Sequence, residues 1–308
     1  MAGHLTKTGR LQKCLLLLLL FVPCLAHPAC GDTGTWLQVL GSGGPELDDG
    51  RTSSSYLLWL NGKARILVDI GSGSMQRFEE SGASINDLDA ILLSHLHVDH
   101  SSDLPALVKA SFFSGRNRDL PVLGPGGNDL MPSTTDFVSR LIGPGGAYPY
   151  LASYLDGSDD YRLIPGSVTP PVKAEKIIEQ VAGFRLLAVS VHHGPLPALA
   201  WRIEVGGKRV VFSGDMSNQN EILSSLAGRA DLLVAHHAVP EEAGRVARNL
   251  HMPPSSIGRI AAGAGVRKLL LSHHMKRSLA EKDSSLEIIR HRYQGELVFA
   301  QDLQCVEF

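Results

Sequence analysis

Four candidate metal ligands fall within six residues in the stretch Ser94-His95-Leu96-His97-Val98-Asp99-His100. They come directly after Ala90–Leu93, an apolar run that is typical of a buried strand. Neutral imidazole and carboxylate groups suit zinc or a similar divalent ion, and a loop allows all four side chains to converge. The stretch therefore predicts a metal site where a strand ends.

Later apolar runs also end in possible ligands. These are His192 and His193 after 186–191, Asp215 after 210–213, His236 and His237 after 232–235, and His273 and His274 after 269–272. Loops at strand ends carry functional side chains on a rigid scaffold, so these residues are expected to meet. Together they offer more ligands than one zinc ion takes.

The composition is that of a globular protein with a weak overall charge. Of 308 residues, 44% are hydrophobic and 19% are charged, which excludes a disordered chain. The 29 basic residues nearly balance the 31 acidic ones, for a net charge of −2. Because the composition has no excess of basic residues, we expect no nucleic-acid partner.

Two similar β-rich halves follow one another along the chain. Asn61-Gly62 lies between the apolar runs 56–60 and 64–69, which predicts a hairpin, and Gly206-Gly207 predicts another. In each half a strand is followed by a helix and by a second strand that stops at histidines. We expect one domain over residues 30–308, with sheet packed on sheet and helices outside. A long loop or lid is expected at residues 143–171.

Residues 1–29 have the pattern of a secretory signal peptide. Three basic residues precede the apolar run Leu15–Val22, which is shorter than the roughly 20 residues that a membrane span needs. We therefore expect export to the periplasm or beyond, with no stable membrane span after signal removal. Cys14 and Cys24 would leave with the signal. Cys30 and Cys305 would remain, either as a disulfide or as two unpaired cysteines.

The sequence resembles the metallo-β-lactamase superfamily, and within it the ribonuclease Z and arylsulfatase-like branch. The resemblance is carried by His95-Leu-His97-Val-Asp99-His100, by Val191–Glu204 with its His193-Gly-Pro, by Ser213-Gly-Asp215 and by Ser272-His273. It implies an α/β (α+β) fold, specifically a four-layer αββα sandwich. It also implies a centre of two divalent metal ions, zinc being favoured, at one edge of the sandwich.

The resemblance implies two sets of ligands that share a carboxylate. One metal is assigned to His95, His97 and His193. The second is assigned to Asp99, His100 and His273, with Asp215 bridging both. His193 is preferred to His192 because Gly-Pro follows it, and His273 is preferred to His274 because it follows the strand's serine; both doublets stay open.

The predicted function is an exported dinuclear metal-dependent hydrolase. It would act on an ester-type bond of a small molecule (a phosphodiester, a sulfate ester or a lactone) through a hydroxide that bridges the metals. Asp99, His251 and His237 are the predicted catalytic residues, with His251 or His237 donating a proton to the leaving group. Asp69 resembles the family's structural aspartate and is expected to orient a ligand histidine.

Other activities on the same scaffold remain open. They are an iron-dependent oxidoreductase and a thioester hydrolase like glyoxalase II; a β-lactamase or a non-catalytic metal-binding protein is less favoured. The ribonuclease Z branch has a His-Glu pair that assists catalysis. The matching stretch here is Ala235-His236-His237-Ala238, in which His237 stands in the place of the glutamate. This departure and the expected export both argue against tRNA as a substrate. The sequence does not distinguish zinc from iron or manganese, and it leaves the oligomeric state open.

Overall fold

The computed structural model describes residues 1, 3, 30–171 and 174–308. The signal peptide predicted at residues 1–29 therefore lies outside the described residues, apart from Met1 and Gly3, and stays a prediction. Within the described ranges, no helix combines the length and the apolar character that crossing a membrane requires.

In the described chain, seven strands form the first sheet, in the order β14-β1-β2-β3-β4-β5-β6. They are β1 (Thr35–Gly41), β2 (Ser55–Leu60), β3 (Lys63–Ile70), β4 (Ala90–Leu92), β5 (Leu120–Pro125), β6 (Leu163–Val168) and β14 (Cys305–Glu307). Pairing is antiparallel from β14 to β3 and parallel from β3 to β6. The predicted hairpin is confirmed, since Leu60 pairs with Lys63 and both Asn61 and Gly62 have positive φ.

The second sheet repeats this arrangement, with seven described strands in the order β13-β12-β11-β10-β9-β8-β7. They are β7 (Lys176–Val181), β8 (Phe184–His193), β9 (Leu196–Val205), β10 (Lys208–Phe212), β11 (Leu232–His236), β12 (Lys268–Ser272) and β13 (Glu296–Phe299). Pairing is antiparallel from β7 to β10 and parallel from β10 to β13. The two halves expected from the sequence are therefore present.

Helices cover the outer faces of the two sheets. The described helices are α1 (Ser74–Glu80), α2 (Val98–Ser101), α3 (Leu104–Ser111), α4 (Thr134–Ile142), α5 (Ser153–Asp156), α6 (Leu223–Leu226), α7 (Arg245–Leu250), α8 (Pro254–Gly263), α9 (Lys276–Ala280) and α10 (Lys282–Arg290). Short 3-10 turns occur at Ile85–Asp87 and Pro149–Leu151.

The core has three apolar layers, which confirms the four-layer αββα sandwich. Successive strand residues point to opposite faces of a sheet. Ile66 of β3 accordingly packs between the two sheets, where it joins Trp201 of β9 and Leu270 of β12. Its neighbour Leu67 packs under the helices of the first half, and Val211 of β10 packs under those of the second half.

The long loop predicted at residues 143–171 is wrong in part. The segment contains α5 and the edge strand β6, which pairs with β5 over six residues. The prediction failed because Pro165 and Gly166 lie in β6, and the edge of a sheet tolerates them. Tyr154 and Tyr161 of this segment are buried, whereas Tyr148 and Tyr150 are exposed.

A disulfide joins Cys30 to Cys305, which settles the alternative that the sequence left open. Cys305 belongs to β14, the outermost strand of the first sheet, and lies opposite Gln38 of β1. The bond therefore ties the start of the described domain to its last strand.

Candidate metal centre

Polar side chains from both sheets meet at one edge of the sandwich. Four of them follow β4, and the others lie at or just beyond the carboxyl ends of β8, β10, β11 and β12. Those after β4 are His95, His97, Asp99 and His100, and the others are His193, Asp215, His236 and His273. The chain is extended up to His97, which precedes the first turn of α2, and then becomes helical. This change of direction allows neighbouring residues of the His-rich stretch to point to a common centre.

The turn after β3 packs closely against this stretch. A Cβ atom at Gly71 would overlap the backbone carbonyl of Asp99, so only glycine permits this approach. Asp69, two residues earlier, has a left-handed φ of 54°. Its carboxylate accepts hydrogen bonds from the Ser94 backbone N–H at 2.6 Å, from Ser94 Oγ at 2.8 Å and from His100 Nδ1 at 2.8 Å. Asp69 thus contacts a histidine of the site, as expected for a carboxylate that orients a ligand, and its orienting role stays a prediction.

The first group of potential ligands consists of His95, His97, His193 and Asp215. One ligand atom from each lies within 4.8 Å of the others. His97 Nδ1 is 3.0 Å from His95 Nε2 and 3.4 Å from His193 Nε2. The other ring nitrogen of His193, Nδ1, donates to the carbonyl of Leu250 at 3.0 Å, which fixes its Nε2 towards the group.

The second group lies beside the first and contains His100, Asp215, His236 and His273. Asp99 adjoins it, because its Oδ2 is 3.4 Å from His100 Nε2 and 3.3 Å from His273 Nε2. The structure thus brings together every residue that the sequence assigned to the second metal. His236 is an additional member.

Asp215 occupies the junction of the two groups. Its carboxylate oxygens lie 2.7–3.9 Å from the ring nitrogens of six histidines: His95, His100, His193, His236, His251 and His273. No other carboxylate in the described chain belongs to both groups. One carboxylate between two imidazole clusters is the arrangement that a bridging ligand requires.

The imidazoles of the first group are suited to bind a cation. Burial, followed by the proximity of His100, holds the pKa of His95 well below 6.5. Burial and the neighbouring His193 likewise lower the pKa of His97. Because a metal binds the neutral ring, these two histidines are already in the binding form at neutral pH.

Ionisation in the second group is governed by its carboxylates. Burial opposes charge on Asp99 and Asp215, but the surrounding histidines outweigh it and hold the pKa of both below the usual range. Burial also favours neutral rings at His100 and His273, yet the adjacent carboxylates raise the pKa of both above 6.5. The same contacts therefore shift the pKa of the carboxylates down and the pKa of the two rings up.

His236 was among the possible ligands at strand ends, but the sequence analysis assigned it to neither metal. Its Nδ1 donates to Asp215 Oδ1 at 2.7 Å, and its Nε2 is 3.2 Å from the hydroxyl of Tyr56. Burial is the main reason that the pKa of His236 falls to about 4. His236 therefore holds the shared carboxylate in place from the side of the sheet interior.

His237, predicted as a catalytic residue, lies apart from both groups. Its Nδ1 is 3.4 Å from Nδ1 of His274, and its ring lies against Phe299. His274 in turn stacks on Phe299, with ring centroids 3.8 Å apart. The doublet 273–274 thus directs only His273 into the site. We do not assign a catalytic role to His237.

The doublet 192–193 divides in the same way. His193 joins the first group, whereas the half-buried His192 contacts Ser217 Oγ through its Nδ1 at 3.0 Å. His251, which follows α7, is part of the site, because its Nδ1 lies 3.8 Å from Asp215 Oδ2. Burial lowers the pKa of His251 to about 3, so its ring is neutral at neutral pH.

The donor set fits divalent cations. Imidazoles and carboxylates in groups of four, with mutual distances below 4.8 Å and almost complete burial, are typical of zinc and related ions. His100 Nε2 is buried without a hydrogen bond while it faces Asp99 and Asp215. A shared cation would satisfy this nitrogen and both carboxylates.

Comparison with known proteins identifies a family. The family model of the Metallo-beta-lactamase superfamily matches residues 48–257. A Ribonuclease Z of Mycolicibacterium gilvum (strain PYR-GCK) is 28% identical over 290 residues, 88% of this chain and 95% of that protein. A Ribonuclease Z of Mycobacterium sp. (strain KMS) is 30% identical over 258 residues, 78% and 84% of the two chains.

Solved structures share the fold at lower identity. The metallo-beta-lactamase fold protein YhfI from Bacillus subtilis superposes with a TM-score of 0.70 at 22% identity, over 89% of this chain and 99% of that one. Human tRNase Z, short form, superposes with a TM-score of 0.68 at 18% identity, over 88% and 98%.

The expectation that nucleic acid is not a partner is wrong. The relatives that extend over most of this chain are named ribonucleases, enzymes that act on RNA. The error arose from the net charge of −2, which is a sum over the whole chain and does not describe the charge beside the site.

Proposed function

The chain belongs to the metallo-beta-lactamase superfamily, and from this membership we propose that it is an exported metal-dependent phosphodiesterase that cleaves RNA. Its fold and its similarity to ribonucleases Z make it a metal-dependent hydrolase. The type of bond, the number and identity of the ions and the location of the protein are parts of the proposal.

The observation that carries the proposal is the position of Asp215 between the two ligand groups. We propose that His95, His97 and His193 hold one divalent ion, that Asp99, His100 and His273 hold a second, and that Asp215 contacts both. Zinc is the proposed ion because the donors are mainly imidazoles. When bound, such ions lower the pKa of a water molecule for attack and polarise the ester oxygen.

The protein's own residues would orient the reactants. Asp99 is ionised at neutral pH, so it can accept a hydrogen bond from the attacking water. The neutral ring of His251 lies at the edge of the site and can donate a hydrogen bond to the departing oxygen. This differs from the expected proton transfer by His251, because a ring with a pKa near 3 carries little of the charged form at pH 7.

Export is proposed on two independent grounds. Residues 1–29 have the basic, apolar and small-residue order of a signal peptide. The disulfide between Cys30 and Cys305 is of a kind that persists in oxidising compartments. Fractionation of cells that express the full chain should place a shortened protein outside the cytoplasm; a full-length protein in the cytoplasm would contradict export.

The test of activity compares two adjacent histidines. The purified protein should contain close to two zinc ions per chain and cleave an oligoribonucleotide and bis(4-nitrophenyl) phosphate. It should cleave these in preference to aryl sulfates, lactones, thioesters and cephalosporins. His193→Ala should lose metal and activity, whereas His192→Ala, the matched control, should keep both. Preferential turnover of another bond type, or a visible absorption band with bound iron, would overturn the proposal.

A further inference from the structure

A surface hollow beside the metal centre has a positively charged lining. Its volume is about 490 Å³, and it is lined by Gln219, Ala243, Arg245, Arg248 and Asn249. No carboxylate lines it. The hollow is formed mainly by α7, the short helix that ends directly before His251.

The two arginines of the hollow are available to a ligand. Both are exposed, and within the described part of the chain neither guanidinium has a hydrogen bond or an ion pair with another side chain. The neighbouring carboxylates Glu241 and Glu242 form no ion pair with either arginine in the described part of the chain, and Glu241 instead accepts hydrogen bonds from the backbone N–H and hydroxyl of Ser255. The hollow therefore presents two uncompensated cations.

The amide side chains add oriented polar groups. Gln219 Nε2 donates to Asn249 Oδ1 at 2.8 Å, which fixes the Asn249 amide group. Its NH₂ group remains available as a donor next to the guanidinium groups. Guanidinium and amide donors directed into one hollow favour an oxyanion, and phosphate in particular, because guanidinium can bind it bidentately.

The hollow is joined to the catalytic site through α7. The carbonyl of Leu250, the last residue of α7, accepts the hydrogen bond from His193 Nδ1. His251, the next residue, approaches Asp215 to 3.8 Å. Arg248 lies three residues before His251, about 4.5 Å along a helix axis at 1.5 Å per residue. A strand whose scissile phosphate lies at the metal centre could thus place a neighbouring phosphate in the hollow.

We propose that this hollow binds a phosphate group that neighbours the scissile phosphate of an RNA strand, through Arg245 and Arg248. This inference rests on the proposed phosphodiesterase function and adds to it a preference for polyanionic strands over small esters. Each phosphate contact to a single strand changes the logarithm of affinity by about 0.7 per logarithmic unit of salt concentration. Two contacts give a slope of about 1.4, which corresponds to about 25-fold in affinity between about 1 M and 0.1 M salt.

The experiment measures binding and cleavage on the metal-loaded protein. Binding of a fluorescent phosphorothioate oligouridylate is followed by anisotropy across a KCl series. Cleavage is followed as kcat/KM for the natural oligouridylate divided by kcat/KM for bis(4-nitrophenyl) phosphate. The test variant is Arg245→Gln/Arg248→Gln. The control is Arg259→Gln/Arg292→Gln, which removes the same charge from two exposed arginines near Gly258 on the helical layer.

The test variant is expected to bind about 25-fold more weakly at about 0.1 M salt, with a salt slope shallower by about 1.4 and a lower cleavage ratio. The control should stay within twofold of the unmodified protein. Equal losses in both variants, or no loss in either, would overturn the inference. If the unmodified protein cleaves neither substrate, the phosphodiesterase proposal fails, and the anisotropy series still decides whether the hollow binds a phosphate chain.

Discussion

Replacing Asp69 by asparagine is expected to weaken metal binding while the protein stays folded. Asp69 accepts hydrogen bonds from Ser94 and His100 at 2.6–2.8 Å but is not itself among the potential ligands. Asparagine has nearly the same shape, and it tolerates the left-handed φ of 54° at this position better than most residues. The backbone turn should therefore survive the substitution.

The magnitude follows from what the amide group replaces. In the Asp69→Asn variant the amide oxygen could still accept a hydrogen bond from Ser94, but the NH₂ group would face the N–H of His100, and this pair of donors cannot bond. The ring of His100 would then lose its fixed orientation. Loss of such an orienting partner typically costs 10–100-fold in metal affinity, or about 1.4–2.7 kcal/mol.

Metal affinity is measured by competition with a chromophoric zinc chelator, and folding by circular dichroism. The control is Asp89→Asn, which removes another buried carboxylate, one that pairs with Arg65 and Arg118 away from the centre. Zinc affinity within twofold of the unmodified protein for Asp69→Asn would refute the orienting role. An equal loss in Asp89→Asn would show that the effect is one of general stability.

Three other contacts lead to predictions about stability, pH dependence and rate. Cys30→Ser/Cys305→Ser should lower the free energy of unfolding by up to about 5 kcal/mol, since the bond closes a loop over a separation of 275 residues; an unchanged urea midpoint would contradict this. Burial lowers the pKa of His237 to about 4, so the unfolded chain takes up this proton below pH 6.5 while the folded chain does not until about pH 4. The contribution of His237 to the free energy of unfolding is therefore fully present above pH 6.5. About 3 kcal/mol of this free energy is lost as the pH falls from 6.5 to 4. His237→Gln should flatten that decline in urea titrations, and an equally steep decline would refute the assignment. Tyr56→Phe removes the hydroxyl that contacts His236, and it should lower kcat by up to about tenfold at unchanged zinc content, because one hydrogen bond contributes about 1 kcal/mol; a loss of zinc or an unchanged kcat would count against this role.

Much of the fold could be predicted because local signals agreed with one another. The Asn61-Gly62 turn, the apolar runs and the histidines at their ends each follow from short-range chemistry. The same strand alternation could have identified His236. Leu232 and Val234 pack between the sheets, whereas Leu233 packs under the helices, so the even-numbered His236 belongs to the inner face. Choosing His237 by its motif position ignored this periodicity.

Other parts depend on features that one sequence does not reveal. His273 continues the odd-numbered face of β12, but a left-handed φ of 54° turns its side chain into the site. The sequence analysis chose His273 by its position after Ser272 in the family motif, because strand alternation alone does not direct it into the site. The net charge of the chain likewise did not indicate the positive charge near the centre. Arg245 and Arg248 come close to the site only because α7 ends directly before His251.

The bond between Cys30 and Cys305 makes residues 30–305 a covalent ring. A protease that cuts one exposed loop between them opens this ring but releases no fragment, because both pieces stay attached through the sulfur atoms. A singly nicked enzyme should therefore migrate as one species without reductant and separate into two only when the bond is reduced.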